Sequence, residues 1–270
     1  MDDAVLFACG TGANTILTRH PVHTVPVLTV DPLEASLSDD PMYANPIAHG
    51  DPGAMEERLR GVRVSMAFAM LGSKSGTESL LTVADCARNS GCKVISIVGI
   101  PWEAEPDHRD KAMQVLGDVL ERSDRTFLMD VQTIAELRVE EMDPNPYSFF
   151  KTSEYALGFA IRILAGMTDG PFFSTLPEKT YTFSYVNDID PAEAVQRALG
   201  ATVFPTDPAY GKLIVTVSSG FGTAQIEQIF HTVVSNTGII PDIVKRDDRE
   251  DTKVLVFLPV RLTSPRASRS

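Results

Sequence analysis

The 270-residue chain has few cysteines, few histidines and little positive charge, and each shortage excludes a class of protein. Its three cysteines (Cys9, Cys86 and Cys92) and five histidines lack the spacing of a metal site, and the odd number of cysteines favours a reducing compartment over a disulfide scaffold. With 24 basic against 36 acidic residues, a net charge of −12 argues against sequence-independent binding of nucleic acid. No apolar run is long enough to cross a bilayer, so we expect a cytoplasmic protein.

Strand-like and helix-like runs alternate through about the first 165 residues. This alternation predicts an α/β domain with a Rossmann-like parallel sheet, helices on both of its faces, and a long central helix from residue 153. The pattern then changes to fewer strands and longer turns, which predicts a smaller α/β domain with a mixed sheet. We expect a first domain over 1–167, a linker over 168–180, the small domain over 181–260 and a disordered tail over 261–270.

Two glycine-bearing turns, each directly after an apolar strand, are the candidate binding elements. The first turn contributes Gly10, Thr11, Gly12 and Asn14, and the second contributes Gly72, Ser73, Lys74, Ser75, Gly76 and Thr77. Small residues let backbone N–H groups approach an anion, and a helix that begins after each turn directs its positive end there. Two such turns in one domain predict a nucleotide whose phosphates are held from two sides, with Lys74 against them. The alternatives are two ordinary tight turns and a solvated lysine.

The order of these motifs resembles the tubulin/FtsZ superfamily. The first turn, Gly10-Thr11-Gly12-Ala13-Asn14, stands where that family has a glycine-rich loop ending in asparagine, and Leu28-Thr29-Val30-Asp31 stands where a strand ends in Asn-Thr-Asp. Ala44-Asn45-Pro46 and Pro101-Trp102 occupy the places of an Asn-Pro loop and a proline-aromatic pair. Residues 72–78 are an altered form of the glycine-rich signature GGGTG(S/T)G. The resemblance implies a filament-forming protein that binds GTP or GDP, with Mg²⁺ beside the phosphates.

The resemblance also assigns residues to the sugar and the base. Asp31 lies where doubly wound folds place ligand groups. Asn45 lies in a loop from which it would contact sugar or phosphate, and the alternative is an ordinary surface loop. Glu154 takes the position at which the family's long helix offers an asparagine to the base, and Phe150 is placed to stack on it. A carboxylate accepts from both N1–H and the exocyclic amine of guanine, whereas adenine offers no such pair of donors. The alternatives are a turn residue for Asp31, a solvated glutamate for Glu154 and core packing for Phe150.

Two departures from the family bear on catalysis. Ser73, Lys74 and Glu78 replace glycines of the signature, and Glu78 would repel phosphates if it pointed towards them. The family's loop after the central helix carries paired acids that enter the neighbouring subunit's site, whereas here Asp169 and Glu178 are the acids available. Binding of a guanine nucleotide is therefore predicted, and GTP hydrolysis is left open.

Two other functions are compatible with the sequence. Gly10 and Gly12 match part of the G-x-G-x-x-G fingerprint of a Rossmann-type NAD-dependent enzyme, although Thr15 stands where glycine or alanine is expected. The absence of an Asp-x-x-Asp pair instead favours a non-catalytic regulator of filament-forming, FtsZ-like partners. Head-to-tail self-association is the partner interaction that the resemblance implies for the leading hypothesis.

Overall fold

The structure is a computed structural model that describes most of the chain and divides it into two compact units. The described residues are 3–31, 47–48, 51–132, 146–168, 172–176, 178–187, 196–197, 199, 212–218, 220–246 and 253–260. The units are Met1–Lys179 and Thr180–Ser270. Within the described residues no helix is both long and apolar enough to span a membrane.

The first unit is a parallel sheet with helices. Its described strands are β1 (Ala4–Cys9), β2 (Val27–Asp31), β3 (Ile47–Ala48), β4 (Val64–Met70), β5 (Lys93–Ile100) and β6 (Arg125–Asp130). Its described helices are α1 (Gly10–Arg19), α2 (Pro52–Leu59), α3 (Lys74–Asn89), α4 (Pro106–Arg122), α5 (Pro146–Ala165) and α6 (Phe172–Thr175). The strand order is β3-β2-β1-β4-β5-β6, and every pair in it is parallel. The predicted parallel α/β sheet is confirmed.

The central strands are apolar along their whole length because both faces of the sheet are covered. Every residue of β1 is buried, as are Val64 to Ala69 of β4 and all of β5 after Lys93. Since all the strands run the same way, the turns after β1, β4 and β5 lie together at the carboxyl ends of the strands, which we call the carboxyl edge of the sheet. The residues before β4, β5 and β6 lie together at the amino ends of the strands, on the opposite edge.

The second unit has the mixed sheet that the change of pattern predicts. Its described elements are β7 (Thr180–Asn187), β8 (Lys212–Ser218), α7 (Thr223–Thr237), β9 (Pro241–Arg246) and β10 (Lys253–Pro259). The strand order is β7-β10-β8-β9, with β10 antiparallel to both neighbours and β8 parallel to β9. The sequence also predicts a helix over 191–199, capped by Asp190, which lies mostly outside the described residues. The tail expected over 261–270 lies wholly outside them.

Four helices begin three or more residues before the start that the sequence pattern predicts. Helix α1 begins at Gly10, where the pattern predicts Asn14, and α2 begins at Pro52, where it predicts Met55. Helix α3 begins at Lys74, where the pattern predicts Leu80, and α5 begins at Pro146, where it predicts Ser153. At α3 the reason is a cap: the Ser73 hydroxyl accepts the Gly76 N–H at 3.3 Å, which starts the helix inside the supposed turn. The glycine-bearing segments therefore form the first helical turns themselves.

Candidate functional site

The amino ends of α1 and α3 meet backbone against backbone at the carboxyl edge of the first sheet. Gly10 has a φ of 81°, and a Cβ built on it would lie 2.6 Å from the Gly76 Cα and 2.8 Å from the Gly76 N. Such distances leave no room for a side chain, and the positive φ itself favours glycine. The structure thus brings together the two segments that the sequence singled out.

The glycine at position 72 has a different role from the one expected. Its φ is 86°, and a Cβ there would collide with the backbone carbonyl of His108 in α4. Gly72 therefore allows α4 to pack against the second turn. The backbone of α4 occupies the space that a side chain at position 72 would need, so the close approach that Gly72 permits is that of a helix.

A cavity of about 300 Å³ opens beside the joined helix ends, which is the lower end of the range for small-molecule sites. It is lined by residues from α1, from the turn after β4, from the segment between β5 and α4, and from α5. Its lining includes Gly12, Thr15, Ser73, Trp102, His108 and Glu154. Gly12 and Ser73 are exposed, so the first turns of α1 and α3 are accessible from this side.

The other residues of the two segments lie around the cavity without lining it. Asn14 and Thr77 are each 8% exposed and belong to the packed interior. Thr11 and Lys74 are exposed, and Ser75 is half-buried. The Lys74 side chain stands at the first position of α3 and is not part of the cavity wall.

Glu154 lines the cavity and forms an ion pair with the end of α1. Its Oε2 accepts from the Arg19 Nη1 at 2.5 Å, and its side chain is 25% exposed against 58% for Arg19. Helix α5 is held there by a close approach, because a Cβ on Gly158 would collide with His20. The His20 ring also meets Tyr155 edge to face at 5.4 Å, and burial lowers the pKa of His20. The contact of α1 with α5 therefore fixes the position of Glu154.

A buried ion pair supports the cavity wall at Pro101 and Trp102, and the sequence reading missed it. The Arg109 Nη1 lies 3.1 Å from the Asp130 Oδ1, and the Nη2 lies 2.5 Å from the Oδ2. The Asp130 side chain is 2% exposed and Arg109 17%. Arg109 also donates to the Pro101 carbonyl at 2.6 Å, so the segment after β5 is tied to the end of β6. The sequence feature that could have indicated this ion pair is Asp130, a charged residue at the end of an apolar strand.

The remaining predicted residues do not line this cavity in the part of the chain that the structure describes. Asp31 ends β2 and Phe150 lies in α5, and for both only the backbone is described. Asn45 and Asp169 lie outside the described residues. Glu178 is exposed and precedes Lys179, whose carbonyl accepts from the Thr126 N–H at the start of β6. Glu178 therefore lies near the sheet edge opposite the cavity.

The cysteines are described by the structure, and so is part of the set of side chains that could bind a metal ion. All three cysteines are buried free thiols. Burial raises the pKa of Cys9, Cys86 and Cys92, which makes these thiols poor nucleophiles. No cluster of three or more histidine, cysteine or acidic side chains occurs among the residues that the structure describes.

Comparisons with solved structures identify the fold. FtsZ from M. jannaschii, in an empty dimer, superposes with a TM-score of 0.74 at 16% identity, over 96% of this chain and 88% of that one. CetZ from Methanosaeta thermophila gives 0.63 at 13% identity, over 97% and 88% of the two chains. TubZ from Bacillus thuringiensis serovar israelensis, in GDP-form protofilaments, gives 0.63 at 13% identity, over 96% and 87%. No protein-family profile and no curated protein sequence matches the chain.

The chain therefore has the fold of the tubulin/FtsZ superfamily, and the resemblance inferred from the motif order is confirmed at the level of fold. Solved structures that share this fold include an FtsZ, a CetZ and a TubZ.

Proposed function

We propose that the chain binds a guanine nucleotide, with the phosphates against the joined amino ends of α1 and α3. The observation that carries this proposal is the contact of Gly10 with Gly76, which sets two helix amino ends at one cavity. The first N–H groups of a helix have no partner inside the helix, and they carry the positive end of its dipole. Two such ends side by side offer a polyphosphate donors from two directions. The TubZ relative was solved in a GDP form.

The charge around the cavity makes the helix ends the main attraction for the phosphates. Glu105 and Glu154 line the cavity with His108, and the His108 Nδ1 lies 3.6 Å from a Glu105 carboxylate oxygen. The described wall of the cavity contains these two carboxylates and no lysine or arginine. A phosphate chain is therefore favoured only where backbone amides face it. We therefore assign the phosphates to the Gly12 and Ser73 side, with Lys74 near them and Mg²⁺ held by phosphate oxygens and water.

Glu154 is proposed to read the base. Its Oε2 accepts from Arg19 and keeps a second lone pair, so both carboxylate oxygens retain the capacity to accept a guanine donor. The Arg19→Gln variant removes the competing partner, and the Glu154→Gln variant removes the carboxylate. If Glu154 reads guanine, Glu154→Gln lowers the preference for GTP over ATP while Arg19→Gln keeps it. Equal loss of stability in both variants with unchanged selectivity would mean that Glu154 serves only the ion pair.

Hydrolysis and assembly belong to the same proposal. We propose head-to-tail association in which Asp169 and Glu178 of one copy approach the nucleotide of the next, and in which water attacks the γ-phosphorus. The location of Glu178 near the opposite sheet edge supports a role towards a neighbouring copy instead of its own cavity. A phosphate-release assay on Asp169→Ala and Glu178→Ala tests this role. Assembly with GTP but without phosphate release would favour a non-catalytic filament protein.

The deciding experiment is isothermal titration of the chain with GTP, GDP, ATP and NAD. We expect both guanine nucleotides to bind and ATP to bind more weakly, because adenine lacks the donor pair that Glu154 accepts. Failure of GTP and GDP to bind at millimolar concentration would overturn the proposal. Binding of NAD without competition from GTP would favour the dehydrogenase alternative instead.

A further inference from the structure

A second cavity lies at the sheet edge opposite the proposed nucleotide site. Its volume is about 400 Å³, and it lies where β4, β5 and β6 begin, beside α6. Its wall contains three cations and one carboxylate: Arg63, Lys93, Arg125 and Asp124. In a chain whose net charge is −12, such a local excess of positive charge calls for an explanation.

The carboxylate of this cavity is already engaged, whereas the cations are only partly satisfied. The Asp124 Oδ2 accepts from the Val94 N–H at 2.9 Å, and the Oδ1 lies 3.6 Å from the Lys93 Nζ. The Arg63 Nη2 lies 3.5 Å from an Asp3 carboxylate oxygen, and both side chains are more than half exposed, so this pair is weak. The Arg125 Nε is buried and has no hydrogen-bond partner among the described residues.

The floor of the cavity is apolar. Val64 and Ile95 are 6% and 2% exposed, and the half-buried ring of Phe173 from α6 forms part of the same wall. The Thr168 carbonyl accepts from the Arg63 Nη2 at 3.4 Å, which holds one cation at the mouth. Cations above an apolar floor match a molecule with an anionic head and a short apolar body.

We propose that this cavity, which we call the basal cavity, binds a small organic anion, a carboxylate or a phosphate monoester on a short apolar body. Arg63 and Lys93 hold the anionic head from the solvent side, and Val64, Ile95 and Phe173 contact the apolar part. Three cations in a concave wall are too few for nucleic acid, which needs an extended basic surface. The basal cavity is separate from the proposed guanine-nucleotide site of the same copy, because the two cavities lie at opposite edges of one sheet. In the proposed head-to-tail association this edge faces the next copy, so we assign the anion to the unassembled chain.

Phenyl phosphate is the probe that tests the basal cavity, and benzoate, inorganic phosphate and phenol are its comparisons. The readout is the δ-methyl signal of Ile95 in the isoleucine-labelled full chain, assigned with Ile95→Val and measured without nucleotide so that the chain stays unassembled. We expect phenyl phosphate to shift this signal at millimolar concentration or below. Inorganic phosphate and phenol should bind more weakly, because inorganic phosphate has no apolar body and phenol has no anionic head.

The variants separate charge from fold. The double variant Arg63→Gln/Lys93→Gln changes two exposed side chains and should weaken phenyl phosphate roughly tenfold, whereas the exposed Lys111→Gln on α4 should leave it unchanged. No shift at Ile95, or equal affinity in the double variant, would overturn the proposal. Inorganic phosphate binding as tightly as phenyl phosphate would overturn the organic part of the assignment. The tighter of phenyl phosphate and benzoate identifies the head group.

Discussion

At the scale of single residues, Gly10 combines two constraints that can be measured separately. Its φ of 81° strains any other residue, and its α-carbon faces the Gly76 backbone at a distance that excludes a Cβ. Gly91 shares the first constraint, with a φ of 78°, but has nothing within 4 Å of its missing Cβ. The two glycines are therefore a matched pair.

We expect Gly10→Ala to lose more stability than Gly91→Ala. Both variants pay about 1–2 kcal/mol for the left-handed backbone, and only Gly10→Ala adds a backbone collision worth about 1–3 kcal/mol. Urea unfolding of the two variants measures the difference. Equal losses would mean that the two helix ends are not held against each other.

Ser73 allows the charge of the proposed phosphate site to be changed without loss of its cap. Its hydroxyl accepts the Gly76 N–H, and both aspartate and asparagine cap helices as well as serine does. We expect Ser73→Asp to weaken GTP binding about tenfold or more, because a carboxylate at the cavity wall repels the phosphates. Ser73→Asn should bind GTP nearly as well as the parent chain in the same titration. Similar affinities for the two variants would contradict phosphate binding at this helix end.

At the scale of elements, the packing of α1 on α5 is tested by two helical glycines. Replacing a glycine inside a helix by alanine stabilises by about 0.4–1 kcal/mol where space permits. Gly117 in α4 has nothing within 4 Å of its missing Cβ, whereas a Cβ on Gly158 would meet His20. We expect Gly117→Ala to stabilise the chain and Gly158→Ala to destabilise it by about 1–3 kcal/mol.

Thermal unfolding of the two variants measures this contrast, and binding of GTP provides a second readout. Because Glu154 lies one turn before Gly158, a displaced α5 should also change the nucleotide preference of Gly158→Ala. A stabilised Gly158→Ala would show that α1 and α5 are separate enough to admit a methyl group.

The strands were predictable from sequence and the starts of α1, α3 and α5 were not, for identifiable reasons. The runs in β4, β5 and β10 are apolar or β-branched and are bounded by turn residues. These runs predict strands over 64–70, 94–98 and 253–259, and the observed bounds agree to within two residues. Glycine and serine have low helical propensity, which hid the first turns of α1 and α3. There the Ser73 cap and the close approach of Gly10 to Gly76 outweigh propensity.

The candidate site was predicted where its residues lie in short motifs and, at Glu154, from the position of that residue on the central helix. Gly10, Gly12, Ser73 and Gly76 were found because each glycine-bearing segment is local in sequence. The pairs Arg19–Glu154 and Arg109–Asp130 join residues 135 and 21 positions apart, and no spacing rule within one element reveals them. The partners of Glu154 and of the Pro101 wall therefore required the structure.

At the scale of the whole molecule, the charge of −12 bears on the proposed assembly. Copies of a strongly acidic chain repel each other, and salt screens that repulsion over a Debye length of about 8 Å at physiological ionic strength. We expect sedimentation with GTP to increase as salt is raised from about 0.05 M to about 0.3 M. Ser73→Asp, which is expected to bind GTP poorly, serves as the control and should remain in the supernatant. A steady decrease of sedimentation with salt would mean that attractive ion pairs dominate the contact between copies.

The meeting of Gly10 and Gly76 also limits how this chain can diverge. With no side chain between them, neither segment can lengthen or gain a methyl group unless the other moves, so the two turns must change together. A distantly related sequence should therefore keep both glycines even where every other residue of the two signatures has been replaced. A search for two glycines at this spacing, instead of for either signature alone, offers a way to find sequences related to this chain.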